Sequence, residues 1–179
     1  MTPQEFYNSM LNVAYRWEIG MPELMHKVGK IVQEEAKHMI GRYQTGLAPL
    51  KDWPKLSPVT LADKEAQGYS PPDNPLLRTG EMRDSIEFEA SGFEAIIGSK
   101  DIVALFQELG TVNIPPRSFL GGALVRKADE IAGIIWGGSL AILEAGKIAK
   151  MFSNTKPPQT LGVHGGKATW SPHDTGEGW

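Results

Sequence analysis

Prolines decide where this chain can and cannot form regular structure. They crowd residues 44–76, and an adjacent pair, Pro115 and Pro116, lies within the stretch ELGTVNIPPRSFL at residues 108–120. Proline fixes φ and lacks a backbone N–H, so neither segment can form a long helix or a central strand. The rest of the chain must supply the regular elements, and the second segment is predicted to be a stiff corner that opens a helix.

Composition predicts a globular protein with a single core. A chain of 179 residues buries roughly 70% of its unfolded surface on folding. A net charge of −3 provides no global basic field for nucleic acid, and the absence of cysteine excludes disulfides, thiolate catalysis and cysteine-based zinc sites. The N-terminal stretch lacks the basic and apolar parts of a signal peptide, and no apolar run approaches the roughly 20 residues of a membrane span. We therefore expect a soluble protein.

Helical signals dominate the N-terminal part of the chain. TPQE at residues 2–5 is a capping box with proline at the first helical position. Apolar residues recur at helical spacing as far as Gly20, where the first helix is predicted to end. A second helix is predicted from Pro22 towards Tyr43, with one apolar stripe facing the core.

The proline-rich segment 44–76 is predicted to be a long loop that contains one short helix. Ser57 is the cap of that helix, Pro58 its first residue, and residues 60–67 continue it. A loop this long inside a compact domain is usually functional, or becomes ordered when a partner binds. We therefore expect this segment to be an interface loop.

A β-hairpin is predicted after this loop. SIEFEA at residues 85–90 alternates apolar and acidic side chains, Ser91-Gly92 can turn the chain, and FEAIIGS at residues 93–99 can return as the second strand. The next apolar run, residues 101–109, suits either a strand or a short helix. Asp101 is a good helix cap, so the helix is favoured.

The C-terminal third combines a helix with an arm. A long helix is predicted over residues 118–150, followed by residues 151–179, which are rich in Gly, Pro and polar residues and predict an extended arm. Trp170 and Trp179 lie in that arm, and exposed indoles are typical of a docking surface. The predicted fold is α+β, a single domain over residues 1–150 with helices packed on a small antiparallel β-sheet.

The common catalytic motifs do not occur in the sequence. LGVHGGKAT at residues 161–169 resembles a phosphate-binding loop but lacks its first glycine and its hydroxyl residue. The four histidines do not have the spacing of a metal site, and the paired glutamates are typical of the solvated side of an amphipathic element. We therefore predict no catalytic residue, no cofactor and no metal ligand.

Two other functions stay open at this point. Lys51 and Lys55 flank Trp53, and interleaved basic and aromatic residues could bind nucleic acid in an accessory role. Nearby acidic residues cancel that charge, so contact with a protein partner is favoured. A small hydrolase with an unrecognised carboxylate site would need carboxyl groups of perturbed pKa in a cleft.

Five short motifs follow one another in the middle of the chain. They are DWPKLS, LLRTGEMRDSI, AIIGS, ALFQELGT and PPRSFL, all within residues 50–125. In this order they resemble the tail-completion or neck proteins of long-tailed bacteriophages, a group that includes virion morphogenesis proteins. Each motif is short, and it is their common order that carries the resemblance.

The resemblance implies a structural role in the virion. A protein of that group would form a homo-oligomeric ring of six or twelve subunits at the junction of phage head and tail. Its partners would be the head–tail connector and the tail terminator or tube proteins, and DNA would pass through the lumen without specific binding. It would be found in the virion, and in the host cytoplasm during assembly, and not in a membrane.

The resemblance and the residue pattern together give a set of expected interface residues. They are Lys51, Trp53, Leu56, Thr79, Gly80, Glu108, Gly110, Thr111, Pro115, Pro116, Arg117, Phe119, Trp170 and Trp179.

Two of these residues have competing interpretations. Arg117 could pair with an acidic group across a subunit boundary, or it could brace its own domain by bonding a backbone carbonyl. Trp53 could be an exposed docking anchor, or it could fold back and cover its own core.

Overall fold

The α+β class expected from the sequence is confirmed by a computed structural model, which describes residues 2–145. Within this range there are five helices and one two-stranded antiparallel sheet. They are α1 (Pro3–Met39), α2 (Pro58–Ala66), α3 (Glu81–Asp84), β1 (Ile86–Ser91), β2 (Glu94–Ser99), α4 (Ile102–Leu109) and α5 (Leu120–Ala145). The predicted boundary at residue 150 and the predicted arm, with Trp170 and Trp179, lie outside the described residues.

The first two predicted helices are one helix. The capping box at its start is present, since Thr2 Oγ1 accepts from Glu5 N and the Glu5 carboxylate accepts from Thr2 N. The predicted break at Gly20 and Pro22 is wrong, because α1 continues through both residues to Met39. Proline inside a helix costs roughly 3 kcal/mol in isolation. Here Met21 and the buried residues that follow Pro22 lie on one face of α1, and this face packs against α5. We infer that this packing offsets the cost of the proline.

Helices α1 and α5 run antiparallel and form the main layer of the fold. Gly138 of α5 lies against Leu24, close enough that an added Cβ would come within 2.4 Å of Leu24 Cδ2. Further along the pair, Gly20 meets Ile142 at one end, and Met39 meets the start of α5 at the other. No helix within residues 2–145 has the length and apolar character that crossing a membrane requires.

The predicted hairpin packs on the same long helix. Strands β1 and β2 pair in the register Ile86 with Ser99 through Ser91 with Glu94. Ile86 is fully buried, and the Phe88 ring lies against Gly29 of α1. Gln33 Nε2 also donates to Ile86 O over 2.7 Å, so α1 holds the hairpin by a hydrogen bond as well as by packing.

The segment between α1 and α3 folds back onto the core. Leu47, Trp53 and Pro75 are buried, and Gly41 N donates to Pro75 O over 2.8 Å. The short helix inside the segment is the predicted one: α2 begins at Pro58, and Ser57 Oγ accepts from Thr60 N over 3.2 Å. The buried side chains of this segment therefore contribute to the protein's own core.

Candidate functional site

The connection from α4 to α5, residues 108–120, is the stiff corner that the prolines predicted. The helix α4 begins after Asp101, whose side chain accepts from Val103 N, so the favoured helical interpretation of residues 101–109 is confirmed. Gly110 ends α4 with φ of 76°, and a Cβ there would lie 2.8 Å from Pro116 N. Thr111 N donates to Ile114 O over 2.8 Å and closes the turn before the two prolines. Only glycine fits at position 110, both for its φ and for its contacts.

Glu108 caps helix α5 from outside that helix. Its Oε2 accepts from Phe119 N at 2.7 Å and from Leu120 N at 2.9 Å, while Oε1 accepts from Gly121 N at 2.9 Å. The Ser118 hydroxyl also donates to Oε1. One carboxylate thus satisfies the free N–H groups at the helix start and lies at the positive end of its dipole. The expected interface residue Glu108 therefore has a role inside the subunit.

Arg117 braces the corner against the proline-rich segment. Its side chain is buried, with 6% of the residue exposed, and Nη2 donates to Pro54 O over 3.0 Å and to Lys55 O over 3.4 Å. Its backbone N donates to Gln107 O over 2.7 Å. This is the intramolecular brace, and the guanidinium forms no ion pair within residues 2–145. Burial lowers the pKa of Arg117 because the charged guanidinium loses water.

Trp53 and Phe119 belong to the hydrophobic core. Phe119 is fully buried, and Trp53 is 4% exposed with its Nε1 unpartnered among the described residues. The prediction that Trp53 is an exposed docking anchor is wrong; the alternative, a tryptophan covering its own core, is correct. The structure also does not form the basic and aromatic surface considered for nucleic-acid binding. Trp53 is buried, so of its three residues only Lys51 and Lys55 are exposed.

An open cavity of about 520 Å³ lies beside the corner, and we call it the corner cavity. It brings together segments that are far apart in the sequence. Leu56, Thr79, Gly80, Pro115 and Arg117, all expected interface residues, line it. Gly80 has φ of 93° and precedes α3, and the Thr79 hydroxyl accepts from Glu81 N over 3.3 Å.

The corner cavity also contains a buried lysine from the short helix α2 of the proline-rich segment. Lys64 of α2 is 2% exposed, and its Nζ donates to the Asn74 carbonyl over 2.7 Å and to the Asn74 side-chain oxygen. Burial lowers the pKa of Lys64, Arg78 lowers it further, and Asp73 acts in the opposite direction. No sequence signal identified Lys64, because its burial depends on the packing of α2 against residues 74–80.

Exposed apolar side chains form a second feature, on α4 and the turn after it. They are Ile102, Val103, Leu105, Phe106, Leu109 and Val112, and we call them the α4 surface. Among the α4 residues only Ala104 is buried. A helix that is apolar on nearly all sides but mostly exposed is unusual, since contiguous exposed apolar patches mark interaction sites. The mostly apolar sequence of α4, IVALFQEL, is the feature from which this surface could have been predicted.

A third feature is the exposed apolar side of the N-terminal half of α1. It comprises Phe6, Tyr7, Met10, Leu11, Tyr15 and Ile19, which we call the α1 surface. Because α5 runs antiparallel to α1 and starts beside Met39, the α1 surface and the α4 surface lie towards opposite ends of the helix pair.

The carboxyl groups with displaced pKa values are ion-paired surface groups. Hydrogen bonds from Lys27, Arg78 and Arg83 lower the pKa of Glu23, Asp63 and Asp84, respectively. A general acid requires the opposite shift, so these three groups do not form the site that a hydrolase would need. Within residues 2–145 no group of three metal-binding side chains comes together.

Comparison with known proteins gives no relative. The chain matches no protein-family model, no curated protein and no solved structure.

Proposed function

We propose that this protein is a structural subunit of a bacteriophage neck, part of the ring that completes the tail and joins it to the head. The ring would consist of six or twelve copies and would contact the head–tail connector on one side and tail terminator or tube proteins on the other. DNA would pass through its lumen without specific binding. The subunit would thus act by assembly in the virion, with no catalytic step.

The α4 surface is the observation that carries this proposal. Six exposed apolar side chains on a short helix and its turn leave a large area in water, which favours covering it by association. The rigid corner fixes α4 relative to α5, since Glu108 caps α5 and Gly110 admits no side chain. A preorganised apolar surface loses little entropy on docking, as suits a subunit that must assemble.

The positions of the two apolar surfaces favour a ring over a closed pair. They differ in sequence and lie towards opposite ends of the helix pair. Contact between the α4 surface of one copy and the α1 surface of the next is a head-to-tail interface, which generates a ring when the rotation closes. The ordered motifs of residues 50–125 add the resemblance to neck proteins.

Immunogold electron microscopy of tail-bearing particles tests the location. Particles that incorporate this protein with an epitope tag are labelled with gold-conjugated antibody, and particles of the untagged protein are the control. We expect gold at the junction of head and tail. Label along the tail, at the tail tip or over the capsid would contradict the proposal, as would particles that lack the protein altogether.

A further inference from the structure

The corner cavity holds two buried cations that have no counter-ion among residues 2–145. Lys64 is 2% and Arg117 6% exposed, and no carboxylate of the described residues lies within ion-pair distance of either. A buried charge without an opposite charge is costly, and burial lowers the pKa of both groups. The cavity therefore presents two buried positive charges that an anionic group could neutralise.

Both cations have N–H donors that form no hydrogen bond within residues 2–145. Lysine has three N–H donors, and within residues 2–145 the Lys64 ammonium bonds only to the two oxygens of Asn74. Arginine has five donors, and Nη1 of Arg117 donates to no atom of the described residues, whereas Nε and Nη2 bond to Pro54 and Lys55 carbonyls. A carboxylate could accept from the remaining donors without breaking the brace.

The remaining residues that line the corner cavity suit a peptide better than an inorganic anion. Gln107 Oε1 is a buried acceptor without a partner among the described residues, and it suits a backbone N–H. Leu56, Leu76 and Val103 supply apolar wall. Carboxylate, N–H and apolar side chains occur together in an acidic peptide, whereas inorganic phosphate would satisfy only the cations.

The charge of the whole lining is also positive. Lys55, Lys64, Arg78 and Arg117 line the corner cavity, against the two carboxylates of Glu81 and Asp101. Arg78 is already paired with Asp63 over 2.7 Å. With Arg78 set aside, Lys55 and the two buried cations still outnumber the two carboxylates of the lining by one, and this positive surplus favours an anionic ligand.

We propose that the corner cavity is a binding site for an acidic, aromatic peptide, and that its occupant is residues 170–179 of this chain, WSPHDTGEGW. This stretch contains Asp174 and Glu177, no lysine or arginine, and Trp170 and Trp179 at its two ends. Its carboxylates complement the buried cations, and its indoles complement the apolar wall and the adjoining α4 surface. This contact does not require that the subunits form a ring.

The connecting chain is long enough for this contact within one subunit or between two. The corner cavity lies at the start of α5, and the 26 residues of α5 place Ala145 about 39 Å from it. The chain from Ala145 to Trp170 can span at most about 90 Å when extended. The occupant can therefore come from the same copy or from a neighbouring one.

Disulfide trapping in the full chain tests the site, because the chain has no native cysteine. Ser171→Cys is combined with Asn113→Cys, an exposed residue that lines the corner cavity. The matched control combines Ser171→Cys with Ser91→Cys, which is equally exposed but at the hairpin turn. Under oxidised glutathione we expect the cavity pair to cross-link about 10-fold faster than the control pair, because docking raises the effective concentration of position 171. The mass of the product under non-reducing conditions shows whether the two cysteines belong to one chain or to two.

Charge-neutral variants test the recognition itself. Adding Asp174→Asn and Glu177→Gln, or Lys64→Met, should lower the cross-linking rate of the cavity pair to that of the control, with the thermal melt confirming that each variant is folded. Equal rates for the two cysteine pairs would overturn the proposal, and so would a fast cavity pair that neutralisation leaves unchanged. Equal rates together with binding of an unrelated acidic peptide, measured by calorimetry, would assign the cavity to another partner and overturn residues 170–179 as its occupant.

Discussion

At the scale of single residues, polar side chains of the corner satisfy the backbone of their own subunit. Glu108 accepts three N–H groups at the start of α5, and Arg117 donates to two carbonyls of the proline-rich segment. Both residues were expected at an interface. Their partners within the chain give them a structural role that makes the corner rigid, and the rigid corner in turn presents α4.

We expect Arg117→Lys to destabilise the subunit by about 2–3 kcal/mol, because a lysine cannot reach both carbonyls and would leave one buried and unpaired. Arg16→Lys is the control, since Arg16 is a half-buried residue of α1 whose side chain donates to the neighbouring Asn12. Urea unfolding of the two variants measures the difference. Unchanged stability of Arg117→Lys with loss of assembly would instead indicate an ion pair across subunits.

Glu108→Gln should lower the free energy of unfolding by about 1–2 kcal/mol, because an amide keeps only one acceptor oxygen and no charge at the helix start. The hairpin residue Glu94, which is exposed, provides the control Glu94→Gln. Chemical denaturation followed by circular dichroism measures both. A Glu108→Gln variant as stable as the control would contradict the capping role.

Tyr43 gives a pH-dependent prediction. Its hydroxyl donates to Asp73 and accepts from Leu56 N over 3.0 Å, and burial, followed by the bond to Asp73, raises its pKa over that of a free tyrosine. Because the folded pKa is the higher one, the stabilisation is complete below the unfolded pKa and is lost as pH rises through the folded pKa. Tyr43→Phe should therefore cost about 1–2 kcal/mol near neutral pH, and that difference should shrink above about pH 10.

Unfolding free energies across this pH range, with the exposed Tyr15→Phe as control, provide the measurement. A difference between the native chain and Tyr43→Phe that does not change with pH would mean that the hydroxyl contributes nothing through its proton.

At the scale of elements, local signals predicted local structure well. The caps Thr2, Ser57 and Asp101 each act within three residues of their partners, and all three helices begin where predicted. The hairpin was also predictable, because alternation and turn residues lie within fifteen positions, 85–99.

Elements whose form depends on distant contacts were predicted poorly. The helix α1 passes through Gly20 and Pro22 because α5, more than a hundred residues later, packs across both. Trp53 belongs to a core cluster that includes residues of α1, the hairpin and α5, and the cap of α5 is supplied by Glu108 of another helix. Propensity and spacing along the chain contain no information on such partners.

The α4 surface gives an element-scale prediction about assembly. Leu109 is 70% exposed, so Leu109→Glu should leave the monomer's melting temperature almost unchanged while placing a charge in the proposed interface. Val59→Glu on α2, where the native residue is 79% exposed, is the control for adding the same charge elsewhere. Sedimentation velocity should show smaller assemblies for Leu109→Glu only. Equal behaviour of the two variants would remove α4 from the interface.

At the scale of the whole molecule, the two apolar surfaces and the rigid corner are the basis for the proposal that this subunit associates with copies of itself. The antiparallel pair α1 and α5 provides the frame, the hairpin and the proline-rich segment pack around it, and the α1 and α4 surfaces remain exposed at its two ends. In the proposed ring, head-to-tail contact between these surfaces would link copies in one direction.

The mass of the purified protein in solution tests this central claim most directly. Multi-angle light scattering over a range of concentrations, alone and after mixing with the tail-tube protein, gives that mass without reference to shape. We expect an assembly of six or twelve times the 19.6 kDa of one chain, formed alone or on the tail tube. A mass of 19.6 kDa at every concentration and in every mixture would contradict the proposed ring.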